Sequence, residues 1–394
     1  MATESKVHEI VILGSHFSGL GTAQSLLRDI IPALSKQTPN VAYHVTIVAP
    51  HTEYFYNIPG PRYLVGKELI TSSQLFFPIS GALNEYKADQ YATVQGKATA
   101  VDPEKKVVSV ALEGGATQEI EYQSLVIATG TTSNSKLWQV NDHEDVTKAL
   151  YVSVQAALVT AKRVLIAGGG AVGVETAGEI ATHYPKAEIT ILSGSDRLLP
   201  RLVPGNSSSA ESRLNALGVK TVHKTRVRSA SENANGSTTV VFSDGTTQTV
   251  DVYIDATGGK PNTSFLPPAW LNSNGYVITD GGKTLRTPTA GVYALGDVAD
   301  YSNSSLIYAL SSILPVTTSI GIDIAASAGK NGLFKQKIFK PMKDTQIVPT
   351  GPSTGVGQIM GWRVPGWLVW LIKSRTFFLE KAEPTWKGAD IGKA

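Results

Sequence analysis

Apolar positions along the chain gather into short unbroken runs that end at a glycine, and residues at helical spacing follow. In VILGSHFSGLG (11–21) the run stops at Gly14. In RVLIAGGGAVGVETAGEI (163–180) it stops at Gly168, and Val174, Ala177 and Ile180 then recur three residues apart. Continuous apolar runs of this length suit parallel strands buried on both faces, and the three-residue recurrence suits a helix laid on them. Each copy has a sequel: YHVTIVAP (43–50) and AEITILSG (187–194) predict a second strand after each helix. Further strands are predicted to end in SLVIATG (124–130), VYIDATGG (252–259) and GVYALGDVAD (291–300). SENANGSTT (231–239) predicts a hairpin turn and SDGTTQ (243–248) a loop between strands. The fold class that follows is α/β, built from two strand–turn–helix units.

Strand, glycine turn and helix in this order are the setting of a dinucleotide-binding loop. Gly168, Gly170 and Gly173 complete the pattern Gly-x-Gly-x-x-Gly. Such glycines permit the sharp turn, let backbone N–H groups approach a pyrophosphate, and let helix pack closely on strand. The helix N-terminus adds partial positive charge. The first copy keeps Gly14 and Gly19 but carries His16 at the middle position. A side chain there holds a pyrophosphate slightly off the backbone, so this loop is expected to be modified but not lost. The imidazole either donates to a phosphate or covers the adenosine half, or it is a tolerated change on a loop flank. The strand before His51 ends at Ala49 without the carboxylate that usually grips the adenosine ribose, leaving Glu53 or His51 to deputise. Ser193 closes the corresponding strand of the second unit, where an acid would signal NADH. A neutral residue there, with Arg197 or Arg201 nearby, slightly favours a 2′-phosphate; solvated loop arginines are the plain alternative.

Composition narrows the functions. At 394 residues the chain exceeds one ordinary core. A net charge of +3 with no basic tract argues against nucleic acid as a partner. The absence of cysteine excludes a disulfide framework, a thiolate nucleophile and a Cys-x-x-Cys pair, so redox chemistry must belong to a bound cofactor. Seven histidines are scattered without ligand spacing, and no metal site is expected. MATESKVHEIVILG has no cationic leader, and Ala2 excludes N-myristoylation. The apolar stretch Val364–Ile372 is interrupted by Pro365 and too short to span a bilayer. A cytoplasmic location is the expectation.

Two glycine loops, two Ala-Thr-Gly tags and one Gly-Asp strand end, in this order, resemble the two-dinucleotide-binding-domain flavoproteins of the pyridine nucleotide-disulfide oxidoreductase superfamily. GGGAVGVETAGEI, YALGDVAD and the late stretch GVGQIMGW…LIKSR…TWK (355–387) are similar to the apoptosis-inducing-factor-like, ferroptosis-suppressor type. The resemblance spans essentially the whole chain and implies two Rossmann-like domains. One, for FAD, takes residues 1–130 and 255–330; the other, for NAD(P)H, takes 131–254; residues 331–394 form a C-terminal cap. It implies cofactor contacts from Gly14, His16, Ser18, Gly19, Ala98, Thr129, Gly130, Gly168, Gly170, Gly173, Arg197, Gly258, Gly296 and Asp297. Arg62 in GPRYLV is a further phosphate or flavin candidate, a surface arginine being the alternative. Glu175, in the first turn after Gly173, is implied to face nicotinamide and flavin; the plain alternative is a carboxylate complementing the helix end, worth ~0.3–1 kcal/mol.

After GDVAD the family pattern places a Lys before a helix beneath the flavin. Here Ser305 stands in its place, Tyr308 remains as a proton donor or stacking group, and Pro315 is expected to break or kink the helix. The activity implied is hydride transfer from NAD(P)H to FAD, with electrons passed on to a quinone. Two alternatives stay open: an oxidase or monooxygenase using O2, which the altered acceptor helix supports, and a redox-sensing interaction protein. A homodimer is also left open.

In GWRVPGWLVWLIKSRTFF (361–378), Trp362, Trp367, Trp370 and Leu371 interleave with Arg363, Lys373 and Arg375. Pro365-Gly366 predicts a short helix from about Trp367, on which Trp367, Trp370, Leu371 and Ser374 share a stripe. The stripe either packs on the FAD domain or a second subunit, the commoner fate of aromatic stripes, or rests at a membrane–water interface.

Overall fold

The computed structural model describes residues 6–394; the first five, Ala2 among them, lie outside the described residues. The strand β1 (Lys6–Leu13) sits in the middle of a seven-stranded sheet. Its neighbours are β2 (Val41–Ala49) on one side and Ser124–Ile127 on the other, both parallel to it. Ile10, Val11, Ile12 and Leu13 are all buried, because helices cover one face and the far strands and loops the other. Val292–Ala294 and the first half of Tyr91–Asp102 extend the parallel part. An antiparallel pair, Val107–Leu112 and Thr117–Glu121, finishes the sheet.

The second glycine loop has its own four-stranded parallel sheet, in the order Lys220–Val222, Glu188–Leu192, Arg163–Ala167, Val252–Asp255. Beside it lies a three-stranded antiparallel meander, Val227–Glu232, Thr238–Phe242 and Thr247–Val250. Its two turns fall where the Asn/Gly/Ser-rich segments predict them.

The stretch after Gly296-Asp297 departs from a single helix. Helix Leu306–Ser311 ends at Ser312, and helix Ile313–Ser327 begins directly after it. Pro315 is the third residue of the second helix. Its missing N–H would have bonded the carbonyl of Ser311, so the break falls at the preceding turn. Ser305 caps the first helix, its Oγ accepting the Tyr308 N–H at 3.4 Å. Leu306–Ser327 is long and apolar enough to cross a membrane by length and composition, but 67% of its most apolar window is buried inside the fold. It is a core helix.

The C-terminal segment forms a small antiparallel sheet, Gln346–Pro349, Gly355–Ile359 and Trp362–Val364. The short helix then starts at Gly366 and passes at Trp370–Ser374 into a π turn. This widening corrects the expected stripe. With i→i+5 bonding, Val369 and Ser374 share the buried face, and Ser374 Oγ donates to the Thr354 carbonyl at 3.0 Å. Trp367, Trp370 and Leu371 turn outward, the Arg375 guanidinium lying over the Trp370 ring at 5.9 Å. Trp367 is 66% exposed, and Trp362 and Met360 on the adjoining hairpin are 80% and 72% exposed. Trp386 behaves differently, stacking on Phe77 at 5.1 Å with its indole N–H donated to the Pro78 carbonyl.

Candidate active site

The two glycine loops are built alike. Gly14 has φ +109° and donates its N–H to the Val48 carbonyl at 2.8 Å; Gly168 has φ +121° and donates to the Leu192 carbonyl at 2.9 Å. A Cβ on Gly19 would overlap the carbonyl of Gly14, and one on Gly173 the carbonyl of Gly168. In both loops the last glycine therefore lets the helix sit against its own strand. The middle position differs. His16 (φ −87°, ψ −159°) and Gly170 (φ −80°, ψ −173°) share one backbone conformation, and it is open to any residue. A Cβ on Gly170 meets no protein atom within 4 Å. The chain does not require glycine at this position; only a closely approaching ligand would.

A cavity of about 720 Å³ lies where the two loops meet the C-terminal segment. Gly14, His16, Ser18, Ala98, Thr129, Gly130, Gly296 and Asp297 line it, as does the first turn of the second loop's helix through Ala171, Val172 and Glu175. Asn262 pins the Ala-Thr-Gly tag: its Nδ2 donates to the Thr129 carbonyl and its own carbonyl accepts from Thr129 Oγ1, both at 2.8 Å. A Cβ on Gly296 (φ +77°) would meet Ser18 Oγ at 2.5 Å, so the Gly-Asp turn lies close against the start of helix α1 (Phe17–Ser25). The Asp297 carboxylate accepts from Ser302 Oγ at 3.0 Å; burial raises its pKa, and the Ser302 bond and Arg201 counter this. Among the described residues, Ser15 Oγ and His16 Nε2 are buried without partners in this cradle. Orphaned polar atoms beside a helix N-terminus fit a phosphorylated ligand.

Glu175 is buried on the wall, and Lys373 Nζ reaches its Oε1 at 2.6 Å. Burial pushes the Glu175 pKa up, and Lys373 opposes that shift. One turn further on, Glu179 is fully buried and takes Arg62 through two bonds, at 2.8 and 2.9 Å. The Phe377 ring lies against both cations, 4.7 Å from the Arg62 guanidinium and 5.6 Å from Lys373 Nζ.

The family model for pyridine nucleotide-disulphide oxidoreductases matches residues 8–321. The chain belongs to the pyridine nucleotide-disulphide oxidoreductase family. Among its relatives, oxidoreductase phnG of Penicillium herquei is 33% identical, over 98% of this chain and 97% of the relative. Ferroptosis suppressor protein 1 of Homo sapiens is 26% identical over 98% and 97%. The fold of NDH2 from Plasmodium falciparum in complex with NADH matches with a TM-score of 0.66 at 15% identity, over 97% of this chain and 99% of that one. FAD and NAD(P)H are the cofactors, and the chain is an NAD(P)H-dependent flavin oxidoreductase.

Within this family framework, several expected contacts stand elsewhere. Arg62 lies off the cavity, held by Glu179 and by the Arg375 carbonyl, and is spent on packing instead of phosphate. Tyr308 also turns away: it packs on Phe339, with ring centroids 5.3 Å apart, and Ile307 and Ala309 face the cavity instead. Arg197 donates to the Pro200 carbonyl and Arg201 to that of Asn303. Gly258 sits by the Asn134 amide; Gly168, Gly170 and Gly173 do not line this cavity, and a Cβ on Gly170 would face open space. Three residues carry no site signal in the sequence. Lys373 and Asn262 face the cavity. The Arg226 guanidinium lies beside Gly194, 3.2 Å from where a Cβ would be, just past Ser193. All three act across large gaps in the chain, and no local pattern marks them.

Lys373→Met is expected to leave Glu175 buried without its cation, at about 3–5 kcal/mol, seen as a large drop in thermal midpoint together with slower reduction by NAD(P)H. Adding Glu175→Gln should restore the midpoint and not the rate. Recovery of both would take the pair out of the hydride-transfer site.

Proposed function

We propose that the protein takes hydride from NAD(P)H onto FAD and delivers the electrons to a quinone-like acceptor, the division at 130/131, 254/255 and 330/331 separating FAD domain, NAD(P)H domain and cap. The Glu175–Lys373 pair carries this reading. Lys373 holds one carboxylate oxygen of Glu175, and Oε2 has no side-chain partner among the described residues. That oxygen is an acceptor on the cavity wall, suited to a nicotinamide carboxamide N–H. Fixing the donor in this way supports hydride transfer through orientation. Bound FAD supplies the two-electron chemistry. With no cysteine in the chain, electrons cannot leave through a thiol pair, so the acceptor must itself reach the cavity.

The outward-facing Met360, Trp362, Trp367 and Leu371 support peripheral contact with a bilayer from the cytoplasmic side, which would give access to lipophilic quinones. Arg363 does not contribute there, being held by Asn206 and Ser209. At the other end, neutral Ser193 and Arg226, whose guanidinium has no partner among the described residues, support a preference for NADPH.

Anaerobic reduction by NADPH followed by rapid mixing is the direct test: reoxidation should be fast with a soluble ubiquinone analogue and slow with O2. The reverse order would make the protein an oxidase, and no reoxidation by either would favour a redox sensor. Wild type should co-sediment with phospholipid vesicles, and Trp362→Glu with Trp367→Glu should abolish this; a wild type that stays in the supernatant removes the membrane contact. Arg226→Ala should raise KM for NADPH about tenfold, one charged hydrogen bond's worth, and leave KM for NADH unchanged.

A further inference from the structure

The adenosine end of the FAD site lacks an obvious ribose ligand, and the structure shows which candidate is free. Glu53, the nearest carboxylate after β2, is drawn off the cavity by an ion pair with Lys148. His51 lines the cavity. Its Nδ1 lies 2.9 Å from the Glu53 carbonyl oxygen. A carbonyl only accepts, so Nδ1 carries the proton and Nε2 keeps its lone pair. An sp² lone pair at a fixed place is what a carboxylate would have offered to a ribose hydroxyl.

The ring is held from one side by His16. The two imidazoles stack with centroids 4.6 Å apart and planes 24° from parallel, and the edge of Tyr54 meets His16 at 5.9 Å. The middle position of the first loop is where such a ring can be placed without disturbing the backbone, as the matching Gly170 conformation shows. Two departures from the fingerprint, His16 for glycine and His51 beyond a strand end without an acid, therefore meet in one contact. We propose that His51, clamped by His16, accepts a hydrogen bond from a ribose hydroxyl of the FAD adenosine in place of the absent carboxylate. The lone pair requires a neutral ring, and burial pushes both imidazoles down, His51 to about 4. This assignment rests on FAD occupying the first loop.

The test is FAD titration of apoprotein, read by quenching of flavin fluorescence, with the thermal midpoint of each apo variant measured alongside. His51→Phe keeps a ring for His16 and removes the acceptor; Kd for FAD should rise about tenfold, with the apo midpoint little changed. His51→Gln, whose amide oxygen can reach the place of Nε2, should stay within about threefold of wild type. His16→Gly restores the fingerprint, yet it should weaken FAD binding by removing the clamp. Wild-type affinity in His51→Phe, equal losses in Phe and Gln, or tighter binding in His16→Gly would each overturn the proposal. A wild type that binds no FAD would instead remove the flavin from this loop altogether.

Discussion

Two carboxylates one turn apart on helix Ala171–His183 tie the protein together. Glu175 takes Lys373 from the C-terminal segment, and Glu179 takes Arg62 from the segment after β2. Charges buried this deeply are tolerated only when paired, and removing either partner leaves an ion in a low-dielectric interior. Phe377 sits against both cations, so the three parts of the chain meet at one contact of fixed geometry. The cavity depends on it, because its walls come from the same three parts.

Replacing such pairs with apolar residues of similar shape often costs nothing in stability. Their value here is positional. Lys373 holds Glu175 on the cavity wall from the widened turn Trp370–Ser374, in which Ser374 is turned inward. Phe377 and Phe378 then both adopt positive φ, bending the chain so that Phe378 reaches the cavity.

The glycine loops show how one pattern can carry two demands. The first and last glycines answer to the protein's own backbone, where a Cβ would strike a carbonyl in both copies. The middle glycine answers to a ligand alone. That separation explains how His16 fits without strain, and why a loop with an imperfect fingerprint keeps the geometry of a perfect one.

The sequence by itself determined the two strand–glycine turn–helix units and their order along the chain. Strands with both faces buried must be apolar throughout, and turns with φ above +100° at the strand ends require glycine, so the signals at Gly14 and Gly168 are local and strong. The family resemblance pointed to Glu175, Thr129, Gly296 and Asp297, all of which line the cavity. Tertiary structure alone decided which charges are spent. Arg62 and Arg363 look free in sequence and are tied down, whereas Arg226 looks unremarkable and its guanidinium has no partner among the described residues. Tyr308, expected at the flavin from its position, packs on Phe339 because the capped helix Leu306–Ser311 turns it away from the cavity. Lys373 meets Glu175 across 198 residues. Backbone geometry is written in neighbouring residues, but the pairing of buried charges is settled only when distant segments compete for the same interior space.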